Sequence, residues 1–450
     1  MTDIPIASGA GAATESSFEG PHYLRAVTSM AEKRKVVAHK PIYTDNGIKL
    51  VDQGARIDRR LVDRLMRYTL RDSLDSHLSV EQAVDIAAIE AQAYTQCISA
   101  PLPIRLVQAL QAQAEGDDGI QKLLAPLRLV PLPQPLAFRL TVIREQRPDL
   151  LEHSINVMLV ALFLGVRSGW NERECALLAA AGLFHDLGEI HMDPIWRDPQ
   201  FKATGQGRKH LVAHPVTAML IVRGLQMFPR TIEAAVLEHH ERMDGTGYPR
   251  GVSGAQISPM GQVLLLAEVV AAFFEKYTDR PAQRLSLMLR LSHRKFPAAF
   301  TQYVLPLLED DGAAEVDPQP LLRDAERQGA KLAQILALWA ELRAGLPADW
   351  LSQPAGRACA FVDLRLGLLQ KTLNEAGAHP RQQADVLPML KDDAQGLAEI
   401  VFVGREALWE LESIANACQR RWPQAADRAD AVDAAIAQWC EACHAQTGAG

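Results

Sequence analysis

Four apolar runs of helical length mark the middle of the chain: EHSINVMLVALFLGV from Glu152, CALLAAAGLFHDLGE from Cys175, TIEAAVLEHHE from Thr231 and QVLLLAEVVAAFF from Gln262. Runs of this kind, separated by polar loops, predict helices that bury most of their surface against one another. Pro131, Pro133 and Pro135 mark the entry to this region, and the acidic, turn-rich EDDGAAEVDPQ at 309–319 marks its exit. Beyond 320 the chain is rich in Ala and Leu with helical spacing, broken near Pro347, Pro354, Pro380 and Pro423. The pattern before 135 differs. Val36-Val37-Ala38 and Ile42-Tyr43 lead into Thr44-Asp45-Asn46-Gly47, and Ile48-Lys49-Leu50-Val51 resumes extended structure, which predicts a β-hairpin with Asn46-Gly47 at its tip. A helix is expected next, with Asp58 as N-cap and Leu61, Val62, Leu65 and Met66 on its apolar face. Residues 78–128 carry helical periodicity broken at Pro101, Pro103 and Pro126. The expected protein is therefore mainly α. A flexible tail (1–20) precedes a small α+β N-terminal domain with a hairpin (21–134). A helical central domain (135–308), a linker (309–319) and a helical C-terminal domain (320–450) follow.

Composition narrows the function classes. Of 450 residues, 48% are apolar and 22% charged, enough to bury sizeable cores. A net charge of −7 argues against nucleic acid as the main ligand, because a duplex binder normally needs a basic face. No run reaches 18 apolar residues without charge, so no membrane span is expected; Val157–Val166 and Val263–Phe274 are too short. The first twenty residues lack a basic and an apolar secretory region, and six scattered cysteines suit a reducing compartment. A cytoplasmic location is expected.

The candidate chemistry lies in the histidines. Seven of thirteen fall between 153 and 240. His153 opens the first apolar helix, and His185-Asp186 ends the second. His214 precedes Pro215, which reads as a helix start. His239-His240-Glu241 closes the third helix, where a helix would aim the two rings about 100° apart, and Glu268 sits inside the fourth. Buried ionisable groups are costly unless paired or bound to metal, and packed helices can aim such side chains at one point. One histidine on an apolar helix is ordinarily a satisfied core residue; five such elements in order are hard to explain that way. Imidazole and carboxylate donors suit iron, manganese, zinc or nickel, and the mixture alone does not choose. Paired ions can hold both oxygens of an in-line displacement at phosphorus and lower the pKa of water from 15.7 to about 7.

HDLGEIHMDP at 185–194, His214-Pro215 and HHERMDGTGYPRGVSG at 239–254 together resemble an HD-GYP domain, a branch of the HD-superfamily metal phosphohydrolases. YTDRPAQRLS at 277–286 resembles the stretch after that family's last ligand. The resemblance implies a helical fold and two or three divalent ions, with iron or manganese favoured. It implies hydrolysis of cyclic di-GMP to pGpG or GMP in bacterial signalling. Carried over by position, Asp149, His153, His185, Asp186, His214, His239, His240 and Glu268 are the metal ligands. Asp186 and Glu189 are the candidates for catalytic roles, and Asp244, Gly247, Tyr248, Pro249 and Arg250 would line the substrate mouth.

Three positions depart from the family pattern. Glu189 stands where the family has lysine, Glu268 where it has aspartate, and Ala271 where it has a second aspartate. Exchanging the lysine for an acid turns an attraction to phosphate into a repulsion; at 4 Å each is about 1 kcal/mol in water and about 4 at a dielectric of 20. Lys202, Lys209 or Arg250 could compensate, or Glu189 could join the metal shell. A second reading follows, a degenerate domain that senses the nucleotide or docks a signalling partner, with a homodimer also compatible. Elsewhere, Cys440-Glu441-Ala442-Cys443-His444 matches the haem-attachment pattern and is read as coincidence, with an exposed thiol pair or an adventitious metal site preferred over haem. His191, His210 and His293 read as polar loop residues. Trp339, Trp350, Trp409, Trp422 and Trp439 read as helix anchors, and residues 421–436 as one solvated helix.

Overall fold

A computed structural model describes residues 20–58, 60, 61, 65, 67–113, 118–197, 206–278, 280–308 and 317–447. The expected tail before Gly20, Val62, Met66, Lys202 and most of the 309–319 linker lie outside these residues, as do the side chains of Lys209 and His210. The chain divides into two compact units, Met1–Leu237 and Glu238–Gly450. The described structure is mainly helical with two small sheets.

The first unit opens with α1 (Pro21–Lys33), which buries Tyr23, Leu24, Val27 and Met30. Four short strands follow: β1 (Val36–Ala38), β2 (Ile42–Tyr43), β3 (Lys49–Val51) and β4 (Leu78–Val80). The expected hairpin exists as the β2–β3 pair, with Ile42 opposite Val51. Gly47 at its tip has φ +81° and donates its N–H to the Thr44 carbonyl at 2.9 Å. β1 is not part of that hairpin; it pairs antiparallel with β4, so 78–80 is a strand and not the start of a helix. Asp58 does act as a cap, accepting from the Leu61 N–H at 2.8 Å.

Helices α2 (Ile86–Ser99), α3 (Pro101–Gln111), α4 (Gly119–Leu124) and α5 (Gln134–Gln146) lead to α6 (Pro148–Arg167), α7 (Glu172–Phe184), α8 (Gln206–Gly224) and α9 (Arg230–Glu238). Every residue of α6 from Ser154 to Gly165 is buried. By length and composition α6 could cross a membrane, contrary to the sequence reading, but 78% of that apolar window is buried inside the protein. It is a core helix, apolar all round because it is covered all round. Helix α7 crosses α6 closely: a Cβ on Gly182 would lie 2.7 Å from the Met158 Cα. Helix α7 starts at a reciprocal cap, in which Asn171 accepts from the Glu174 N–H at 3.0 Å and Glu174 from the Asn171 N–H at 2.9 Å. That cap and that crossing fix where the other end of α7, His185, must fall. Pro215 lies inside α8 and does not begin it.

The second unit holds α10 (Pro259–Lys276), α11 (Pro281–Leu291), α12 (Ala298–Val304), α13 (Pro318–Ala344), α14 (Gly356–Glu375), α15 (Pro380–Leu390), α16 (Ala394–Arg421) and α17 (Ala431–Thr447). Helices α13 to α17 share a core in which Trp339 and Trp439 meet edge to face at 5.5 Å. Trp409 is not part of that core; it is 40% exposed, with Lys295 Nζ 3.8 Å from its ring centroid. Residues 421–436 are not one helix. Pro423 ends α16 at Arg421, a 3₁₀ turn spans Pro423–Asp427, and Val432 and Ile436 of α17 are buried. Cys440 and Cys443, one turn apart on α17, both face the core, so the CxxCH stretch presents no exposed thiols.

Candidate metal centre

In the first unit, four of the sequence candidates meet. His153 lies in the second turn of α6, His185 caps α7, Asp186 follows it, and His214 comes from α8. Asp186 Oδ2 is 3.2 Å from His185 Nε2 and 3.8 Å from His153 Nε2, and its Oδ1 is 3.3 Å from His214 Nε2. The His153 and His185 rings are 5.3 Å apart. His185 is fully buried, and the side chains of His214 and Asp186 are 2% and 6% exposed. The His185 Nδ1–H donates to the Gly182 carbonyl at 2.7 Å, which leaves Nε2 as its lone-pair nitrogen and turns it toward Asp186. Three imidazole nitrogens therefore surround one carboxylate at separations suited to a shared cation. Metal bonds of about 2.1 Å place neighbouring donors about 3.0–3.4 Å apart; the His185 and His214 separations fall in that range, and His153 at 3.8 Å lies just beyond it. The donor set fits a divalent metal.

The second unit supplies donors of the same kind. His239 and His240 follow the last turn of α9, with rings 4.2 Å apart and 48° between planes. The helix ends at Glu238, so the two residues lie beyond it and not within a continuing helix. His239 is fully buried, and Glu268 on α10 is 9% exposed. The Tyr248 ring lies 4.6 Å from that of His240.

Around these residues the loop 241–258 is built from backbone hydrogen bonds. Buried Glu241 accepts from the Arg250 and Gly251 N–H groups at 2.8 and 3.1 Å. Glu238 accepts from the Ser258 N–H at 2.9 Å and hydroxyl at 2.6 Å and pairs with the Arg250 guanidinium. Gly247 is required by proximity: a Cβ there would lie 2.3 Å from Arg242 N and Glu241 Cα.

Residues 140–294 match the HD domain family. Over this segment the chain is similar to the HD domain family. Curated relatives include the 3'3'-cGAMP-specific phosphodiesterase 3 of Vibrio cholerae, 25% identical over 158 residues, which cover 35% of this chain and 34% of the relative. The cyclic di-GMP phosphodiesterase PA4108 of Pseudomonas aeruginosa is 32% identical over 105 residues, 23% of this chain and 24% of the relative. The cyclic di-GMP phosphodiesterase response regulator RpfG of Xanthomonas campestris pv. campestris is 30% identical over 115 residues, 25% of this chain and 30% of the relative. The chain spans about a third or less of the length of these relatives. A solved structure, that of the HDG"Y"P protein Bd1817 from Bdellovibrio bacteriovorus, overlays with a TM-score of 0.34 and 15% identity across 62% of this chain and 94% of its own, too distant a likeness to build on.

The HD domain departs from the sequence reading at its acids. Asp149 is 67% exposed and is taken by Arg147, whose Nε and Nη2 lie 2.9–3.1 Å from its oxygens. The same guanidinium reaches Glu189 Oε2 at 3.4 Å through both Nη atoms. Burial and the Asp186 charge push the Glu189 carboxyl above its usual range, against the pull of His214 and Arg147. So the acid that replaces the family lysine has the Arg147 cation beside it, while Arg250 pairs with Glu238. Arg147 could have been suspected from sequence as an extra arginine two residues before Asp149.

Other residues of the domain hold unexpected posts. His191 is not a bystander of a polar loop: its ring stacks on Tyr23 at 4.7 Å, and its Nε2 is 2.8 Å from Arg139 Nη1. Arg139 also pairs with buried Asp75, to which the Tyr23 hydroxyl donates. His293 is exposed, as expected. Asp244 has both oxygens engaged within the protein, Oδ1 by the Thr246 N–H at 2.9 Å and hydroxyl at 2.6 Å, and Oδ2 by Arg365. Arg242 donates to the Glu241 carbonyl at 2.8 Å, and its charge faces Tyr248, Glu268 and Asp244. Burial opposes that charge and lowers the guanidinium's pKa.

Proposed function

We propose that this chain is a metal-dependent phosphodiesterase that hydrolyses cyclic di-GMP to pGpG or GMP. The observation that carries the reading is the buried Asp186 carboxylate ringed by the Nε2 atoms of His153, His185 and His214. In this proposal those residues, with His239, His240 and Glu268, hold two or three divalent ions, iron or manganese favoured. Such ions, when bound, polarise a phosphodiester and lower the pKa of water. Asp186 supplies the negative charge that several cations can share. Tyr248, with Gly247 and Pro249, presents a ring to a nucleobase, and Arg242 offers its guanidinium to a phosphate. The relatives named for cyclic di-GMP and 3'3'-cGAMP support a cyclic dinucleotide as the substrate class. The expected domain boundaries and a cytoplasmic location, which six buried free cysteines suit, belong to the same proposal.

A second reading has one observation in its favour. Glu189, where the family has lysine, places an acid beside Asp186, and this suits a domain that binds the nucleotide, or docks a signalling partner or second copy, without turnover. One experiment separates the two. Anaerobically purified protein is analysed for metals and incubated with cyclic di-GMP and with 3'3'-cGAMP. The enzyme reading expects linear dinucleotide or mononucleotide product that is lost, with metal, in His185→Ala. Tight binding without product selects the sensor. Protein that carries no metal and binds neither nucleotide ends both.

A further inference from the structure

The loop that presents Tyr248 is gripped by three arginines that lie outside the HD domain segment. Helix α16 ends in Arg420-Arg421. Arg420 Nη2 donates to the Thr246 carbonyl at 2.9 Å and to the Gly247 carbonyl. Arg421 Nη2 donates to the Gly245 carbonyl and to that of Gly251 at 3.2 Å, and its guanidinium is 5.1 Å from the Phe361 ring centroid of α14. Arg365 of α14 holds Asp244 and, at 2.9 Å, Glu410 of α16. Basic residues in the last turn of a helix ordinarily complement that helix's own final carbonyls. Here two of them are spent on another segment about 170 residues away in sequence. Their acceptors are main-chain oxygens of Gly245, Thr246 and Gly247 in succession, so the grip fixes the path of the loop itself. Charge-assisted bonds of this type are roughly twice as strong as neutral ones. Gly245 fits the grip on two counts: its φ is +77°, and a Cβ there would meet Arg421 Nη2 at 2.8 Å.

We propose that Arg420 and Arg421 are positioning residues for the GYP loop, so that the C-terminal bundle forms part of the apparatus that binds the cyclic dinucleotide. The inference rests on the phosphodiesterase reading for its substrate, but the grip can be measured without any substrate. The grip falls on main-chain oxygens of the loop. The two arginines act through Gly247 and its neighbour Tyr248, which lies against His240.

The test uses the full chain with Arg420→Ala, Arg421→Ala and Arg420→Lys. Amide hydrogen exchange over 244–251, metal content, thermal unfolding and steady-state kinetics on cyclic di-GMP are measured for each. Arg421 is exposed, so its loss should leave the fold intact. Exchange in 244–251 is expected to rise at least about tenfold in both alanine variants, with metal content unchanged. KM is expected to rise roughly 10- to 100-fold, the scale of a small misplacement of a binding group, with kcat falling much less. Arg420→Lys should recover part of the loss, because an ammonium cannot fork to two carbonyls as a guanidinium does. Unchanged exchange in that loop overturns the grip. Raised exchange with unaltered KM overturns its role in binding. Wild-type protein that neither binds nor cleaves the nucleotide overturns the substrate reading instead, while the exchange data still decide the grip.

Discussion

Asp186 and Asp244 have the same side chain, each 6% exposed and each close to a histidine-rich motif, yet their surroundings assign them opposite work. Asp186 is ringed by imidazole nitrogens, one of which is fixed as a lone-pair donor by the Gly182 carbonyl. That environment calls for a cation. Asp244 already has one in Arg365. Burial raises its carboxyl, but Arg365 and Lys295 pull it below the usual range. Its other oxygen closes the turn through Thr246. A buried carboxylate among lone pairs is a ligand, whereas a buried carboxylate among N–H and O–H donors is a strut.

The contrast breaks or holds first on Asp186→Asn. Turnover of cyclic di-GMP should fall roughly a thousandfold or more, as expected when a shared metal ligand is lost, and metal analysis should show at least one ion fewer per chain. Asp244→Asn should retain its metal. If Asp244→Asn strips metal as Asp186→Asn does, the distinction between ligand and strut is wrong.

The next effect in size is on stability. Arg365→Ala leaves Asp244 and Glu410 facing each other's surroundings with one cation fewer. Removing one partner of a buried pair costs about 3–5 kcal/mol. Lys295, itself paired with Glu410, should hold the loss near the lower figure. Urea unfolding checks it, and a loss under about 1 kcal/mol would show that the ion network is not holding the loop.

How much of this was legible in the sequence follows the same divide. His153, His185, Asp186 and His214 could be found because ionisable residues on apolar helices have few physical explanations, and a reciprocal cap at Asn171 and Glu174 fixes the register that brings His185 to the end of α7. The hairpin tip at Asn46-Gly47 was equally visible, since only a few residues take φ +81°. The β1–β4 pair was not, because three-residue strands more than forty positions apart leave no local periodicity. Arg365, Arg420 and Arg421 were invisible for a related reason. An arginine on a polar helix face reads as solvated, and nothing in its neighbourhood names a loop carbonyl far away as its partner. The pairing of Asp149 with Arg147 was not visible either, because helical spacing from His153 says nothing about which cation reaches that carboxylate.

A third prediction sharpens the comparison through pH. Glu406 on α16 accepts from the Ser292 hydroxyl at 3.1 Å, and burial pushes its carboxyl from 4.5 up to about 7. An acid whose pKa is raised by folding keeps its proton longer in the folded state. Its contribution is therefore most favourable below pH 4.5 and is lost as pH rises through 7. The shift corresponds to about 3 kcal/mol at 1.36 kcal/mol per pH unit, and solvent reaching this half-buried group should trim it to about 1–2. Glu406→Gln should accordingly unfold at higher urea than wild type at pH 8 and show no such gain at pH 5. A gain that is the same at both values would mean that ionisation of Glu406 is not the cause.

The smallest effect concerns Glu189 and Arg147. Arg147 is 11% exposed, whereas its partners Glu189 and Asp149 are 27% and 67% exposed, so Arg147→Ala should cost only about 1–2 kcal/mol. Its value lies in the double variant. If Arg147 has taken over the cation that the family lysine would supply, Glu189→Lys alone sets two cations against each other and should lower the unfolding midpoint without raising turnover. Combining Glu189→Lys with Arg147→Ala removes the clash and should recover both stability and phosphodiester cleavage. A Glu189→Lys variant that gains activity and loses no stability would mean that Arg147 compensates for nothing. The acid would then be an impediment that the first unit carries, and the sensor reading would gain by it.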